Sequence, residues 1–586
     1  MTPHSFRFLK VLAVGGAASL ALVACGGGTT TGTGLAADQT LKFPILDDFG
    51  TLDPAVADAE TDQEIQQNMF NGLVKFDNDL NVVPDIASKM PDVSADGLTY
   101  NFTLRNDVTF SNGDKVSAKD VLYSWNRAAA MSGAYGTSYG TNLHAIVGYS
   151  TASKNTVVGS ALEALLEKND PSVTMSGLTA PDGPAGFTIK VQLSAPAGWF
   201  LSAISLTGST GQLVDENAVK KDFDNWWTNP ATAIGTGPFK MTSRVAKQSV
   251  DFAAVPNWWG SPKPTLTKVH IDVINNASSA IAKYEQGGYD IYGFGGYSNA
   301  PVADILRIQA TPNEVGQLLL HPKVRTTWVS FNMVSDASRT GGPFVMSAGQ
   351  AGHDLRMAFA LAIDKVSLVK TVCQNIVCSP ATGGLITKGL TGYLGDNNDP
   401  LAKFDAAQAK TLLKGADPTG SKTKGLVYVY DPENPLNQPT ALFLQSQWQT
   451  NLGVHVDIQA QSHSAFIKAR LGGKYVLSRD GWQADYNHPQ DWFDNLWGTT
   501  LGCPDSSCTT GYSTPAYDQL LAKADAEPIA AATADYNTLS QMLITDVVYI
   551  PLFYSVGAFL IKPYVKGAGT NNFVDSPWDQ IQINTH

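Results

Sequence analysis

The sequence predicts an α/β protein that is built from more than one domain. At 586 residues the chain exceeds what one hydrophobic core accommodates, so roughly two to four domains are expected. The composition, 43% hydrophobic and 16% charged, is typical of a folded globular protein. Strand and helix patterns alternate along the second half of the chain, which favours α/β layers with mainly parallel sheets.

The first half of the chain contains both half-buried strands and amphipathic helices. Apolar residues recur every four positions over 61–73, which predicts a helix after a strand at 41–46. Alternating apolar residues over 187–193 predict another strand. Ser117 and Asp120 have the spacing of a capping box that opens a helix. The Gly- and Ser-rich stretch 133–184 gives no clear pattern apart from a short amphipathic segment.

The second half supplies the alternating elements. Helices are predicted over 353–371, 440–451, 464–471 and 536–546, and strands over 425–430, 454–458, 474–478 and 547–554. Asp485 follows the strand at 474–478. Ligands of α/β sheets bind beyond the carboxyl ends of strands, so this acid lies where a binding site is expected.

Asp485 has two interpretations. Trp482, Tyr486 and Trp492 surround it in sequence, and aromatic side chains exclude water and strengthen a charge pair, so Asp485 could hold a cationic group of a ligand. Alternatively, it caps the helix that begins near Pro489. Structural acids outnumber functional ones, so the local sequence alone favours the cap.

The N-terminus has the pattern of a lipoprotein signal peptide. Arg7 and Lys10 precede an apolar segment over 11–24 that is too short to span a bilayer. It ends in Leu22-Val23-Ala24-Cys25, which resembles the bacterial lipobox. We therefore expect a signal peptide over 1–24, an acylated Cys25 and a Gly- and Thr-rich flexible tether over 25–38, anchored on the outer face of the cell membrane. A plain secretory signal with an incidental cysteine is the alternative.

The four remaining cysteines form two close pairs in sequence. Outside the cytoplasm, Cys373 with Cys378 and Cys503 with Cys508 predict two local disulfides. Neither pair has the spacing or the neighbouring histidines of a metal site.

Several function classes are disfavoured. The formal charge of −12 argues against nucleic-acid binding, which needs a basic surface. The nine histidines do not cluster, so neither a metal nor a cofactor is predicted. The Gly235–Phe239 segment contains Pro238, which lacks an N–H, and is therefore a poor phosphate loop. Hydrolase motifs are absent from the sequence, and the acids Asp491 and Asp494 are interpreted as a solvated helix face.

An ordered series of short motifs resembles the family 5 extracellular solute-binding proteins, the dipeptide- and oligopeptide-binding receptors of ABC importers. The motifs are Leu52-Asp53-Pro54, Asn71-Gly72-Leu73, Asp96-Gly97-Leu98-Thr99-Tyr100, Phe110-Ser111-Asn112-Gly113, Ser117-Ala118-Lys119-Asp120-Val121, Gly235-Thr236-Gly237-Pro238-Phe239, Phe331-Asn332, Arg356-Met357-Ala358-Phe359-Ala360, Ala362-Ile363-Asp364-Lys365, Gly481-Trp482-Gln483-Ala484-Asp485 and Ile550-Pro551-Leu552. The resemblance extends from residue 41 to the C-terminus.

This resemblance implies a type II periplasmic-binding-protein fold with two lobes, a hinge and three domains. Domain I would comprise 39–80, 210–320 and 551–586, domain II 81–209, and domain III 321–550. The lobes would close over a ligand and deliver it to an ABC permease with its ATPase. A monomer without enzymatic activity is expected.

The resemblance also assigns site residues. In peptide-binding members the acid of the G-W-x-x-D motif pairs with the ligand's terminal ammonium, and here that acid is Asp485. Trp482 and Tyr486 are further candidate ligand contacts. No basic residue is matched to the ligand carboxylate, and surface positions are expected for Arg470 and Arg479.

Other interpretations remain open at this point. Members with the same scaffold bind oligosaccharides or nickel complexes, and the chain is rich in the Trp, Tyr, Asn and Gln that sugars need. A secreted hydrolase or a purely structural surface protein is disfavoured.

Overall fold

The computed structural model describes residues 34–586, apart from 58, 138, 207, 295–299, 336–338, 498, 500–509 and 570–576. The predicted signal peptide, Cys25, most of the tether and the predicted Cys503–Cys508 bridge therefore lie outside the described residues. Within the described part of the chain, no helix has both the length and the apolar character needed to cross a membrane.

Two four-stranded sheets form from the first half of the chain. The first has the strand order Thr40–Ile45, Lys268–Val273, Ser249–Ala254 and Phe239–Val245. The second has the order Asp92–Val93, Thr99–Thr103, Thr188–Gln192 and Leu178–Thr179. A hairpin of Val74–Phe76 and Val82–Pro84 lies beside them in sequence.

A seven-stranded sheet organises the second half. Its order is Ile291–Tyr292, Tyr549–Ile561, Leu318–Phe331, Leu477–Gln483, Leu426–Tyr430 and Val456–Ala460, with Cys378–Pro380 also paired to Tyr549–Ile561. A short pair, Val565–Lys566 with Gln582–Ile583, follows.

The prediction of mainly parallel sheets is wrong. Among the described strands, parallel pairing joins Thr40–Ile45 to Lys268–Val273, and Leu426–Tyr430 to its two neighbours. The remaining strand pairs are antiparallel. In the large sheet, the two long central strands Leu318–Phe331 and Tyr549–Ile561 run in opposite directions. Helix–strand alternation in sequence therefore produced a mixed sheet.

The helices mostly match the sequence patterns, with shifted boundaries. They are Glu60–Gln66, Ala118–Tyr135, Tyr149–Ala152, Gly159–Glu167, Phe200–Ile204, Glu216–Val219, Ala277–Glu285, Val302–Gln309, Gly349–Leu361, Lys365–Val372, Ala406–Ala416, Asn437–Leu452, His463–Leu471, Gln490–Trp497, Pro515–Ala526 and Ile529–Thr545. The capping box is confirmed, since the Ser117 N–H donates to the Asp120 carboxylate at 2.8 Å.

Three predicted elements differ from the structure. The helix predicted over 353–371 is two helices, because the Asp364 carboxylate accepts the N–H groups of Val366 and Ser367 and starts a new helix. The helix predicted over 61–73 ends at Gln66. The strand predicted at 474–478 lies later, at Leu477–Gln483, so Asp485 follows the end of the observed strand.

Two hydrophobic cores give the fold its two lobes. The first core is built mainly from residues before 295, together with C-terminal residues such as Phe559 and Trp578. The second is built mainly from residues 280–560. The chain thus crosses between the lobes and returns. The exact limits of the three proposed domains stay a prediction.

One disulfide and one buried ion pair stabilise local structure. Cys373 and Cys378 form the predicted disulfide across a Cα–Cα distance of 5.6 Å. Asp53, in the loop after the first strand, accepts hydrogen bonds from the Arg127 guanidinium and from the Trp226 indole at 3.1 Å. Asp53 and Arg127 are both 1% exposed, so this ion pair is buried.

Candidate functional site

A cavity of about 480 Å³ lies where distant parts of the chain meet. Its wall includes side chains from the helix Glu60–Gln66, the hairpin after it, the segment 204–212, the strand ends at Arg325 and Gln483, and the C-terminal residues Pro577, Asp579 and Gln580. Residues of both lobes therefore contribute to the lining. Such a cavity matches the size of known small-ligand sites.

Asp485 lines this cavity, as the sequence predicts for a ligand-binding acid. The Tyr139 hydroxyl donates to Asp485 Oδ1 at 3.1 Å. The Asp485 backbone N–H donates to Asp491 Oδ2 at 3.0 Å, which fixes the turn that presents the carboxyl. Among the described residues, no helix N–H donates to the Asp485 side chain, so the capping interpretation has no support in the structure.

Asp485 and Asp491 are neighbouring acids. Their carboxyl groups lie close enough to affect each other's pKa. Burial raises the pKa of Asp485 to about 7, although hydrogen bonds from Tyr139 and with Asp491 act in the opposite direction. Burial and the neighbouring charge of Asp485 raise the pKa of Asp491 well above its usual range.

The interpretation of Asp491 and Asp494 as a solvated helix face is wrong. Asp491 is fully buried and Asp494 is 5% exposed. The helix Gln490–Trp497 also buries Trp492, Phe493, Leu496 and Trp497, so it is enclosed on all sides rather than lying on the surface. Asp491 is a candidate site residue that sequence reasoning missed. The available signal was that its helix carries large apolar residues on more than one face, which is typical of a buried helix.

The two aromatic candidate ligand contacts, Trp482 and Tyr486, lie behind the wall of the cavity. The half-buried Trp482 donates its indole N–H to Asp491 Oδ2 at 3.2 Å. Tyr486 is buried in the first core, and its hydroxyl donates to Gln490 Oε1 at 2.6 Å. Neither belongs to the residues that line the cavity. Their role as ligand contacts stays a prediction, and Trp482 also positions Asp491.

The wall also presents amide groups. Gln67 Nε2, Asn71 Oδ1 and Gln212 Oε1 are buried atoms of lining residues, and no hydrogen bond to them is found within the described residues. Asn71 and Gln212 use their amide N–H groups on Asp85 and on the Phe70 carbonyl. Buried polar atoms normally have partners, so these atoms are suited to a polar ligand.

Acidic side chains outnumber basic ones on the wall. The acids are Glu60, Glu64, Asp77, Asp85, Asp485 and Asp579, and the bases are Lys75 and Arg325. Lys75 pairs with Asp85 at 3.2 Å. Arg325 is the cross-strand neighbour of Gln483, so its side chain shares the sheet face that carries Gln483. The cavity therefore favours cations over anions.

The expected surface positions of Arg470 and Arg479 are wrong. Arg470 donates to Asp480 Oδ1 at 2.6 Å, and the two side chains are 12% and 1% exposed. Arg479 pairs with the buried Asp431 at 3.6 Å. Both arginines are internal because each balances a carboxylate inside the second lobe.

One group of side chains has the composition of a metal site. Asp431, Glu433 and His463 each place one potential ligand atom within 4.8 Å of the others. Glu433 and His463 are exposed, and Asp431 is balanced by Arg479. None of the three lines the cavity. We assign their contacts to ion pairing.

The family follows from a comparison of the whole chain with known proteins. The model of the bacterial extracellular solute-binding proteins, family 5, matches residues 81–502. The chain belongs to this family. It is therefore a solute-binding protein and not an enzyme.

Curated relatives of this solute-binding protein extend over almost the full chain. It is 27% identical to the periplasmic murein peptide-binding protein MppA of Escherichia coli over 548 residues, which cover 92% of each chain. It is 25% identical to the oligopeptide-binding protein OppA of Bacillus subtilis over 572 residues, which cover 94% of each.

Solved structures confirm the predicted fold. The Escherichia coli murein tripeptide binding protein MppA gives a TM-score of 0.71 at 27% identity, with 94% of this chain and 100% of that chain covered. OppA of Burkholderia pseudomallei gives 0.69 at 25% identity, with 94% of this chain and 100% of that chain covered. The predicted two-lobed α/β solute-binding architecture is thereby confirmed.

Proposed function

We propose that this solute-binding protein captures short peptides, and that Asp485 pairs with the ammonium group at the peptide's N-terminus. The observation that carries this proposal is the position of the Asp485 carboxyl on the wall of the interlobe cavity. An ammonium at that place gains a charge-assisted hydrogen bond in surroundings with little water, where such a bond is strong.

The rest of the wall supports a peptide ligand. Gln67, Asn71 and Gln212 offer both amide donors and amide acceptors, which complement peptide N–H and C=O groups. The excess of carboxylates attracts a ligand with a positive end. The names of the relatives above, which bind murein peptides or oligopeptides, agree with this chemistry.

The proposal includes a location and partners. The lipobox-like sequence at Cys25 supports a position on the outer face of the cell membrane, with residues 25–38 as the tether. From there it passes its peptide to an ABC permease that works with an ATPase. A monomer suffices, since one chain supplies every residue of the cavity described here.

The N-terminal ammonium is tested with blocked peptides. A di- or tripeptide and its N-acetylated form are titrated into the purified protein by calorimetry. Acetylation removes the cation but keeps the peptide backbone, so we expect affinity to fall by about 100-fold or more, the value of a lost charged hydrogen bond of roughly 3 kcal/mol. Equal affinity for both peptides would contradict the anchor.

The anchor residue is tested with Asp485→Asn, which keeps the side chain's shape. We expect peptide affinity to fall by a similar factor, while the melting temperature of the ligand-free protein does not decrease. Asp457→Asn is the matched control, because Asp457 is a surface carboxylate with 65% of its side chain exposed. It should bind peptide normally.

An oligosaccharide is the second candidate ligand. The amides of Gln67, Asn71 and Gln212 suit hydroxyl groups as well as peptide groups. Mass spectrometry of ligand released from the purified protein by denaturation distinguishes the two. Peptides are expected, and a uniform set of sugars would replace the peptide proposal.

A further inference from the structure

Asp485 does not stand alone on the cavity wall. The carboxyl group of Asp491, which is fully buried, lies beside it, and the two acids affect each other's pKa. Asp491 Oδ2 accepts the Asp485 backbone N–H at 3.0 Å and the Trp482 indole N–H at 3.2 Å. The side chains that shift the pKa of either carboxyl are Tyr139, Trp482 and the two acids themselves, and none of these carries a positive charge.

The surroundings of this acid pair add little positive charge. The neighbouring titratable or charged groups are Tyr139 from the segment 139–143, Glu64 and Arg325 on the same cavity wall, Tyr486 and Asp494 beside the pair, and Asp525 from the helix Pro515–Ala526. His488 lies in the same turn, but burial lowers its pKa to about 3, so it is neutral. Most of these groups are acidic or neutral.

Ionising both of two adjacent buried carboxyl groups is energetically unfavourable. A hydrogen bond between them requires a proton on one of the two oxygens. Negative charges on two adjacent carboxylates also repel each other. Paired acids in other proteins share one proton for this reason. An ammonium ion on the cavity side can neutralise the pair in place of that proton.

We propose that the carboxyl groups of Asp485 and Asp491 are protonated in the empty site, and that a cationic ligand displaces one proton from Asp485, so that capture exchanges a proton for the ligand. The proposal rests on Asp485 being the ligand's anchor. On binding, the O–H bond of Asp485 breaks and its proton leaves to water. The pair gains one negative charge, and the ligand's ammonium donates to the freed oxygen.

Asp491 is a positioning residue in this scheme, since it acts through Asp485. Its contacts with the Asp485 backbone and the Trp482 indole hold the turn that presents the anchor. Burial keeps the anchor protonated at low pH. The site therefore selects for a positive charge at a pH where that proton can leave.

The first test measures proton release by calorimetry at about pH 6. A di- or tripeptide that binds is titrated in two buffers with different heats of ionisation, since the buffer takes up the released proton. With the pKa of Asp485 near 7, we expect release of close to one proton per peptide. Peptide binding without any buffer dependence would overturn the proton exchange and leave the proposed function intact.

The second test uses Asp485→Asn, which removes the carboxyl that gives up the proton. At peptide concentrations high enough to saturate this weaker variant, binding should release close to no proton at pH 6. The control Asp457→Asn should release the same amount as the natural protein. Undiminished release in Asp485→Asn would overturn the proposal.

A third measurement needs no variant. The dissociation constant of the natural protein should rise about tenfold for each pH unit below 6, while the peptide's α-amino group stays protonated. A constant affinity from pH 5 to pH 7 would overturn the proposal even if Asp485→Asn fails to fold. If no cationic peptide binds at any pH, both this inference and the proposed function fall.

The ligand-free protein should show the opposite trend. Because the pKa of Asp485 is raised on folding, the folded chain binds more protons than the unfolded chain between about pH 4 and pH 7. The pair's contribution to stability is therefore full below pH 4 and is lost as the pH rises through 7. Asp491→Asn should weaken this dependence, and an unchanged slope would count against protonation of the pair.

Discussion

At the scale of single residues, buried charge has two outcomes in this protein. Burial acts to raise the pKa of Asp53, but the adjacent Arg127 guanidinium more than compensates and the net pKa is lowered. No cation is among the described groups that shift the pKa of Asp485 or Asp491, and both pKa values are raised. The pair of Asp53 and Arg127 is structural, whereas the two acids are proposed to receive a positive charge from a ligand.

The ion pair of Asp53 and Arg127 yields a stability prediction. Arg127→Met leaves the Asp53 carboxylate buried without its cation, so the free energy of unfolding should decrease by about 3–5 kcal/mol. Urea denaturation measures this change. The control is Lys89→Met, which removes an exposed pair with Asp92 and should cost less than about 1 kcal/mol. Similar effects of both variants would contradict the structural role.

Sequence reasoning singled out Asp485, which lines the cavity, but missed the neighbouring Asp491. Asp485 is marked by its position after a strand and by the G-W-x-x-D motif. Asp491 and Asp494 are three residues apart, and that spacing is the same on an exposed helix as on an enclosed one. What buries them is packing by residues far away in sequence, such as Tyr517 and Tyr536. Tyr139 was missed because it lies in the stretch 133–184, where no pattern was found.

At the scale of elements, the start of the helix Ala118–Tyr135 was predictable. The capping box at Ser117 and Asp120 depends on neighbouring residues only, so its sequence signal was sufficient. Sheet direction was not predictable, because it depends on which distant strands pair. Strand Leu318–Phe331 lies between Leu477–Gln483 and Tyr549–Ile561, and nothing in their local sequences specifies that order.

The capping box gives a prediction at this scale. Asp120→Ala leaves the Ser117 N–H without its acceptor at the start of the helix Ala118–Tyr135. The free energy of unfolding should fall by roughly 1–2 kcal/mol in a denaturant titration. Lys119→Ala is the matched control, because Lys119 is exposed on the same turn and should have almost no effect. A decrease confined to Lys119→Ala would contradict the cap.

At the scale of the whole molecule, the two cores and the cavity between them depend on the path of the chain, which crosses from the first lobe to the second and returns. The resemblance predicted this architecture correctly, but hydrophobic patterns alone predicted only that there would be several domains. Pairings such as Asn68 with Trp578 join opposite ends of the chain, and local patterns contain no information about them.

The proposed membrane anchor gives a prediction for the intact protein. Cys25→Ser removes the thiol that would be acylated, so the protein should move from the membrane fraction to the soluble extracytoplasmic fraction. Immunoblots of separated fractions measure this. Ser5→Ala is the control, since it changes the same N-terminal segment without removing the thiol. Continued membrane association of Cys25→Ser would contradict the anchor.

The C-terminal residues Pro577, Asp579 and Gln580 complete the cavity wall, and Gln580 accepts a hydrogen bond from Asn78 near the start of the chain. Docking of the C-terminal segment therefore closes one side of the cavity, and we expect a chain truncated before residue 577 to leave that side open to solvent.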